Sequence, residues 1–98
     1  MALEAFKPAG TVVVAATTSN VSTTLPSGGQ SVLITNAASD YAFVRLGVAG
    51  EAATLTDFPV PSGASRLLFR EDTVTTVHVI LNSGTGTVFA TVGRGSAY

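Results

Sequence analysis

Residues 74–82 read Val74-Thr75-Thr76-Val77-His78-Val79-Ile80-Leu81-Asn82. The run is dominated by β-branched side chains, which fit a pleated, half-buried surface better than a helix. Alternation at period two puts Val77, Val79 and Leu81 on one face and Val74, Thr76, His78 and Ile80 on the other. Glu71-Asp72 precedes the run and Ser83-Gly84-Thr85-Gly86 follows it, so it reads as a strand closed by turns.

The same grammar repeats outward from this stretch. Residues 11–16 (TVVVAA) follow Pro8-Ala9-Gly10, residues 30–36 (QSVLITN) follow Pro26-Ser27-Gly28-Gly29, and residues 41–47 (YAFVRLG) follow Asn36-Ala37-Ala38-Ser39-Asp40. Residues 65–70 (SRLLFR) follow Pro61-Ser62-Gly63, and residues 87–93 (TVFATVG) follow the Gly-rich turn. Residues 20–25 and 53–60 are weaker segments of the same kind. No 3.6-residue periodicity is long enough for a helix. Short strands at this spacing predict an all-β chain: a single small antiparallel β-sandwich, jelly-roll-like or related, of seven to eight short strands. The expected organisation is an extended N-terminal arm over 1–10, a β-sandwich domain over 11–93 and a C-terminal tail over 94–98. Leu25-Pro26-Ser27-Gly28 and Val60-Pro61-Ser62-Gly63 echo one another. Turn chemistry used twice explains the echo, since Pro pre-sets φ and Gly permits φ > 0.

Composition agrees. The 98 residues are 46% hydrophobic and only 11% charged, which suits a packed β domain and argues against both disorder and a Leu/Glu/Lys-rich bundle. A net charge of −1 lacks the basic excess that binds phosphate backbones, so no nucleic-acid partner is expected. There is no cysteine for a disulfide or a thiolate site. No apolar run approaches the roughly 20 residues of a membrane span. The opening Met1-Ala2-Leu3-Glu4-Ala5-Phe6 does not read as a secretory signal, so the expected site of synthesis is a cytoplasm.

Catalytic patterns are nearly absent. Ser65, His78 and Asp57 form a Ser-His-Asp set on paper, but such sets are defined by geometry and nothing in the sequence supplies it. One His and scattered carboxylates do not make a metal site. Glu71-Asp72 reads as a charged turn, since neighbouring strand side chains point apart. Ser83-Gly84-Thr85-Gly86 lacks the Lys and the helix of a phosphate loop, and Gly93-Arg94-Gly95 reads as tail. The expectation is no enzyme, no cofactor and no metal.

Alternation also assigns faces. Val44, Leu46 and Val48 share one side, as do Val88, Ala90 and Val92; Leu67 and Phe69 are assigned to the core with them. The second side collects Tyr41, Phe43, Arg45, His78, Ile80 and Phe89. Either these aromatics belong to the core and the register is inverted, or they form an apolar patch that another chain covers. Burying one Phe stabilises by roughly 1.5–3 kcal/mol, so leaving several wet calls for a use. Phe6 is the anchor of the arm. Phe6, Tyr41, Phe43, Arg45, His78 and Phe89 are therefore the candidate protein-interface residues.

The stretch from 32 to 93 resembles small structural proteins of tailed bacteriophages, especially the head-decoration or capsid-cement type. The residues carrying the likeness are Val32-Leu33-Ile34-Thr35-Asn36, Tyr41-Ala42-Phe43-Val44-Arg45-Leu46-Gly47, Asp57-Phe58-Pro59-Val60-Pro61-Ser62-Gly63, and Val77-His78-Val79 leading to Ser83-Gly84-Thr85-Gly86-Thr87-Val88. The resemblance implies a jelly-roll-like sandwich, a dimer or trimer, and a virion location on the capsid exterior with the major capsid protein as partner. Head–tail and tail structural proteins are related alternatives. A competing class is a carbohydrate- or receptor-binding sandwich using Tyr41 and Phe43.

Overall fold

The computed structural model describes residues 4–96. Eight strands follow one another: β1 (Lys7–Ala16), β2 (Val21–Thr24), β3 (Ser31–Asn36), β4 (Ala42–Gly47), β5 (Phe58–Val60), β6 (Ser65–Phe69), β7 (Thr76–Leu81) and β8 (Gly86–Arg94). Pairing is nested and antiparallel: β4 with β5, β3 with β6, β2 with β7 and β1 with β8. Two further pairings, β3 with β8 and β4 with β7, complete two four-stranded sheets of order β1-β8-β3-β6 and β2-β7-β4-β5. The chain is thus a long hairpin rolled on itself, the wrapping of an eight-stranded jelly roll. Of the chain's connections, only β4 to β5 stays within one sheet. The echoed Pro-Ser-Gly turns at 26–28 and 61–63 both carry the chain from the second sheet to the first.

The core lies between the sheets and is built from small aliphatic side chains. Val14, Val32, Ile34, Val88, Ala90 and Val92 from one sheet meet Ala42, Val44, Val60, Val77, Val79 and Leu81 from the other. Leu25 and Ala38 close it from the connections. Among the described residues no aromatic side chain is part of this buried core. The alternation read from β4, β7 and β8 is therefore the observed one, and the inverted register is not. The accessible surface, 5208 Å², agrees with the roughly 5,200 Å² that size scaling gives for a folded chain of this mass.

Three expectations are corrected. Leu67 and Phe69 are not in the core: Phe69 is 69% exposed, Leu67 shares its outward side, and Leu68 packs inward instead. Strand β6 pairs Leu68 with the buried Val32 and Phe69 with Ser31, which fixes the face. Val48 lies past the end of β4 and is 44% exposed. The segment read as an arm is paired for its described part. Lys7 and Pro8 oppose Arg94 and Gly93, a register shift between Pro8 and Gly10 absorbs the proline, and Ser96 N donates to Glu4 O. The strand pair therefore runs past residues 11 and 93 at both ends. Residues 1–3, 97 and 98 lie outside the described residues.

Candidate interaction faces

The outer face of the β2-β7-β4-β5 sheet is largely covered by the chain itself. The connection from β4 to β5, residues 48–57, folds back over it. Three features fasten this loop. Arg45 on β4 grips Asp57 with Nε at 3.2 Å from both carboxylate oxygens and Nη2 at 3.0 Å from Oδ1, while Glu51 lies 3.8 Å from Nη1. Asp57 also accepts from Thr54 N at 2.8 Å. Partial burial pushes the Asp57 carboxyl up, but the Arg45 hydrogen bond, the Thr54 N–H and the Arg45 charge together hold it below the usual carboxylate value. In return the Asp57 hydrogen bond, then its charge, raise the Arg45 pKa further.

The third fastening is a hydrogen-bond relay through His78, which is fully buried. Its Nε2 lies 3.0 Å from Val48 O, and its Nδ1 2.6 Å from Ser22 Oγ. A carbonyl only accepts, so Nε2 carries the proton and donates to Val48 O. Nδ1 then accepts from the Ser22 hydroxyl. Ser22 Oγ accepts in turn from Asn20 Nδ2 at 2.9 Å, and Asn20 Oδ1 accepts from Ala53 N at 2.8 Å. One imidazole thus ties the loop at Val48 directly and at Ala53 through two side chains.

These contacts show where the candidate residues stand. His78 and Arg45 stand opposite one another in register, and both hold the loop. Tyr41 and Phe43 remain at the uncovered end of this face, stacked with ring centroids 6.4 Å apart and planes 26° apart, Tyr41 being 48% exposed. Phe43 lies between Ile80 and Pro59 of the neighbouring strands. Phe89 is not with them: it sits on β8, in the other sheet, so the expected single mixed face is two faces. Phe6 is half-buried against Gly93, at one end of that other sheet's outer face, where a Cβ would run into Lys7 O and the Phe6 ring. Ser65, His78 and Asp57 are not assembled. Ser65 is on β6 of the opposite sheet, bonded to Thr35 Oγ1, and Asp57 faces Arg45.

The outer face of the β1-β8-β3-β6 sheet is different. Register lays Val13, Phe89, Thr35 and Ser65 in one row across the four strands, and Thr11, Thr91, Leu33 and Leu67 in the next. Ser31 and Phe69 continue beside Gly93. Thr11 and Thr91 share a 2.8 Å hydrogen bond, and Thr35 and Ser65 one of 3.0 Å, so hydroxyls satisfy one another across the strands. The outward positions in the middle of these strands carry no charged residue, and at one end Glu4 and Arg94 line a pocket with Ser31, Leu67 and Phe69. Val13 and Phe69, at opposite edges, are the most exposed large apolar side chains, at 61% and 69%. Sequence reading missed this face. Val12-Val13-Val14 and Leu67-Leu68-Phe69 are apolar on both sides, so alternation carries no signal there.

Among the described residues no group of three metal-ligating side chains is present, and no helix is long and apolar enough to cross a membrane. Compared with protein-family models, curated proteins and solved structures, the chain finds no match.

Proposed function

We propose that this chain is a virion structural protein of the head-decoration type, acting as a small oligomer that attaches to the capsid exterior through the outer face of its β1-β8-β3-β6 sheet. One observation carries the reading: the middle of this sheet's outer face is a charge-free surface of Thr, Ser and apolar side chains, with Val13 and Phe69 exposed at its edges, and the terminal segments of the described chain reach only its Gly93 end. Such a face loses little on desolvation, because its hydroxyls already pair with one another and it has no charge to strip of water. The kind of partner comes from the resemblance in residues 32–93. The mechanism is physical. A protein that binds the assembled shell and not the dissociated subunits stabilises the shell by mass action, and several linked copies add avidity.

The test is co-sedimentation with tailed-phage heads stripped of their decoration, using the wild type and Phe69→Asp. The expected result is binding by the wild type and loss in the variant. Equal binding by both overturns the face assignment, and no binding to heads overturns the reading. A second reading, a carbohydrate-binding sandwich, rests on the stacked, exposed Tyr41–Phe43 pair. A glycan-array signal abolished by Tyr41→Ala would establish it instead.

A further inference from the structure

The two sheets have four edge strands, β1, β6, β2 and β5. An edge exposes a row of unpaired N–H and C=O groups, and natural edges are blunted by shortness, charge, Pro or bulges. Three of the four follow this rule. Strand β5 has three residues with Pro59 at its centre, β2 has four, and β6 has five with the exposed Arg66 among them. Strand β1 has ten. Its first part is protected by Lys7, Pro8 and the register shift before Gly10. From Thr11 to Ala16 no such device is present, and among the described residues its only strand partner is β8. That stretch, TVVVAA, is β-prone, uncharged and free of Gly and Pro.

We infer that β1 is a pairing edge and that its partner is β1 of a second copy of this chain. The proposal takes from the proposed function only that the chain works as an oligomer. Two copies of β1 related by a two-fold axis run antiparallel, as edge pairing between identical strands requires. Directly opposed residues point to the same side, so keeping both outer faces together allows only registers that oppose odd with odd and even with even. The centred one places Val13 against Val13, Thr11 against Ala15 and Val12 against Val14. No like charges meet, because the stretch has none. The exposed Val13 side chains come within roughly 4.5–5.5 Å at Cβ, which removes the least covered apolar group of the strand from water. The product is a continuous eight-stranded sheet in which the row Ser65, Thr35, Phe89, Val13 runs on into its symmetric copy. Its uncharged outer face is twice as wide. The symmetry is closed, so pairing stops at two rather than propagating as a fibre.

Cysteine crosslinking tests this directly, because the chain has no cysteine of its own. Val13→Cys should give a covalent dimer under mild oxidation, while Thr35→Cys, in the middle of the same face, should not. Light scattering of the wild type should give twice the 9.9 kDa chain mass, falling to one chain mass in Val13→Lys with unchanged far-UV circular dichroism. A wild type that is monomeric at every concentration overturns the proposal. So does crosslinking at Thr35 and not at Val13, which would mean face-to-face stacking. If Val13→Lys fails to fold, the two cysteine variants still decide. Phe69→Asp separates this inference from attachment: a dimer that no longer binds heads leaves both standing, and a dimer that still binds removes only the attachment face.

Discussion

Replacing His78 with Ala should release the 48–57 loop and cost the fold about 3 kcal/mol. The imidazole makes two hydrogen bonds from a fully buried position, to Val48 O and Ser22 Oγ. Each contributes about 1 kcal/mol net, and Ala leaves the Val48 carbonyl and the Ser22 hydroxyl without their partner. The space left by the ring adds about 1 kcal/mol more, since neighbouring strands relax only partly around a deletion. For a domain of this size 1 kcal/mol corresponds to about 4–8 °C, so the melting temperature should fall by roughly 12–24 °C. Calorimetry measures that fall. Amide hydrogen exchange tests its mechanism, because the Ala53 N–H is held by Asn20, which is oriented through Ser22 by His78. Exchange at Ala53 should accelerate more than exchange in β8, on the far sheet. A melting temperature within about 4 °C of wild type would refute the relay. A large fall with Ala53 and β8 exchanging in parallel would show that His78 is a packing residue and not a loop fastening.

Two further outcomes follow from neighbouring contacts. Asp57 has a folded pKa below its ordinary 3.8, so its stabilising contribution is complete above that value and is lost as the pH falls through the lowered one. Asp40 acts in the same direction, held down first by the Ser83 hydroxyl, then by Tyr41 N–H and Asn82. Urea midpoints should therefore drop between about pH 5 and pH 2, and drop less steeply in Arg45→Met; equal slopes would mean that the Arg45–Asp57 pair does not contribute. On β6, Leu68→Ala should destabilise by about 2 kcal/mol and Phe69→Ala by less than about 0.5 kcal/mol, also read from urea midpoints. The reverse order would restore the face assignment that the register of β6 with β3 overturned.

How much of this was legible in the sequence depends on where polar residues interrupt the apolar ones. In Val77-His78-Val79-Ile80-Leu81 and Val88-Phe89-Ala90-Thr91-Val92 they alternate, and the inward set is the observed core. In Leu67-Leu68-Phe69 nothing alternates, and only the partner strand decides which side is in. Pro8 reads as a break because it lacks an N–H, yet an edge strand tolerates that loss where the register shifts. The site was harder still. Arg45 and Asp57 are 12 residues apart, His78 and Val48 are 30, and His78 and Ser22 are 56. No local pattern announces that a loop will return to cover a sheet. His78 therefore looked like a polar residue on an accessible face when it is a buried anchor, and Phe89 looked like its neighbour when it is on the other sheet.

The unequal treatment of the two outer faces follows from how few charges the chain has and where it places them. Arg45, Glu51 and Asp57 are concentrated on or under the 48–57 loop. Arg70 bonds the carbonyls of Gly29 and Pro26 at the β2–β3 connection, and Asp40 holds Asn82 and Ser83 together across two others. The rest lie near the chain ends, in the turn at 71–72 or, as Arg66, at the β6 edge. A jelly roll needs its connections pinned, and this chain uses most of its few ionic groups there, on the β4–β5 loop that stays within one sheet as well as on connections that cross between sheets. That leaves none to solvate the middle of the outer side of β1, β8, β3 and β6, where Thr and Ser hydroxyls bond across strands instead. A monomer would keep such a face soluble with Lys or Glu at small cost, since exposed strand positions accept them readily. Their absence from the middle of this face, together with the unprotected Thr11–Ala16 edge beside it, is the pattern expected of a surface that is covered in the working assembly.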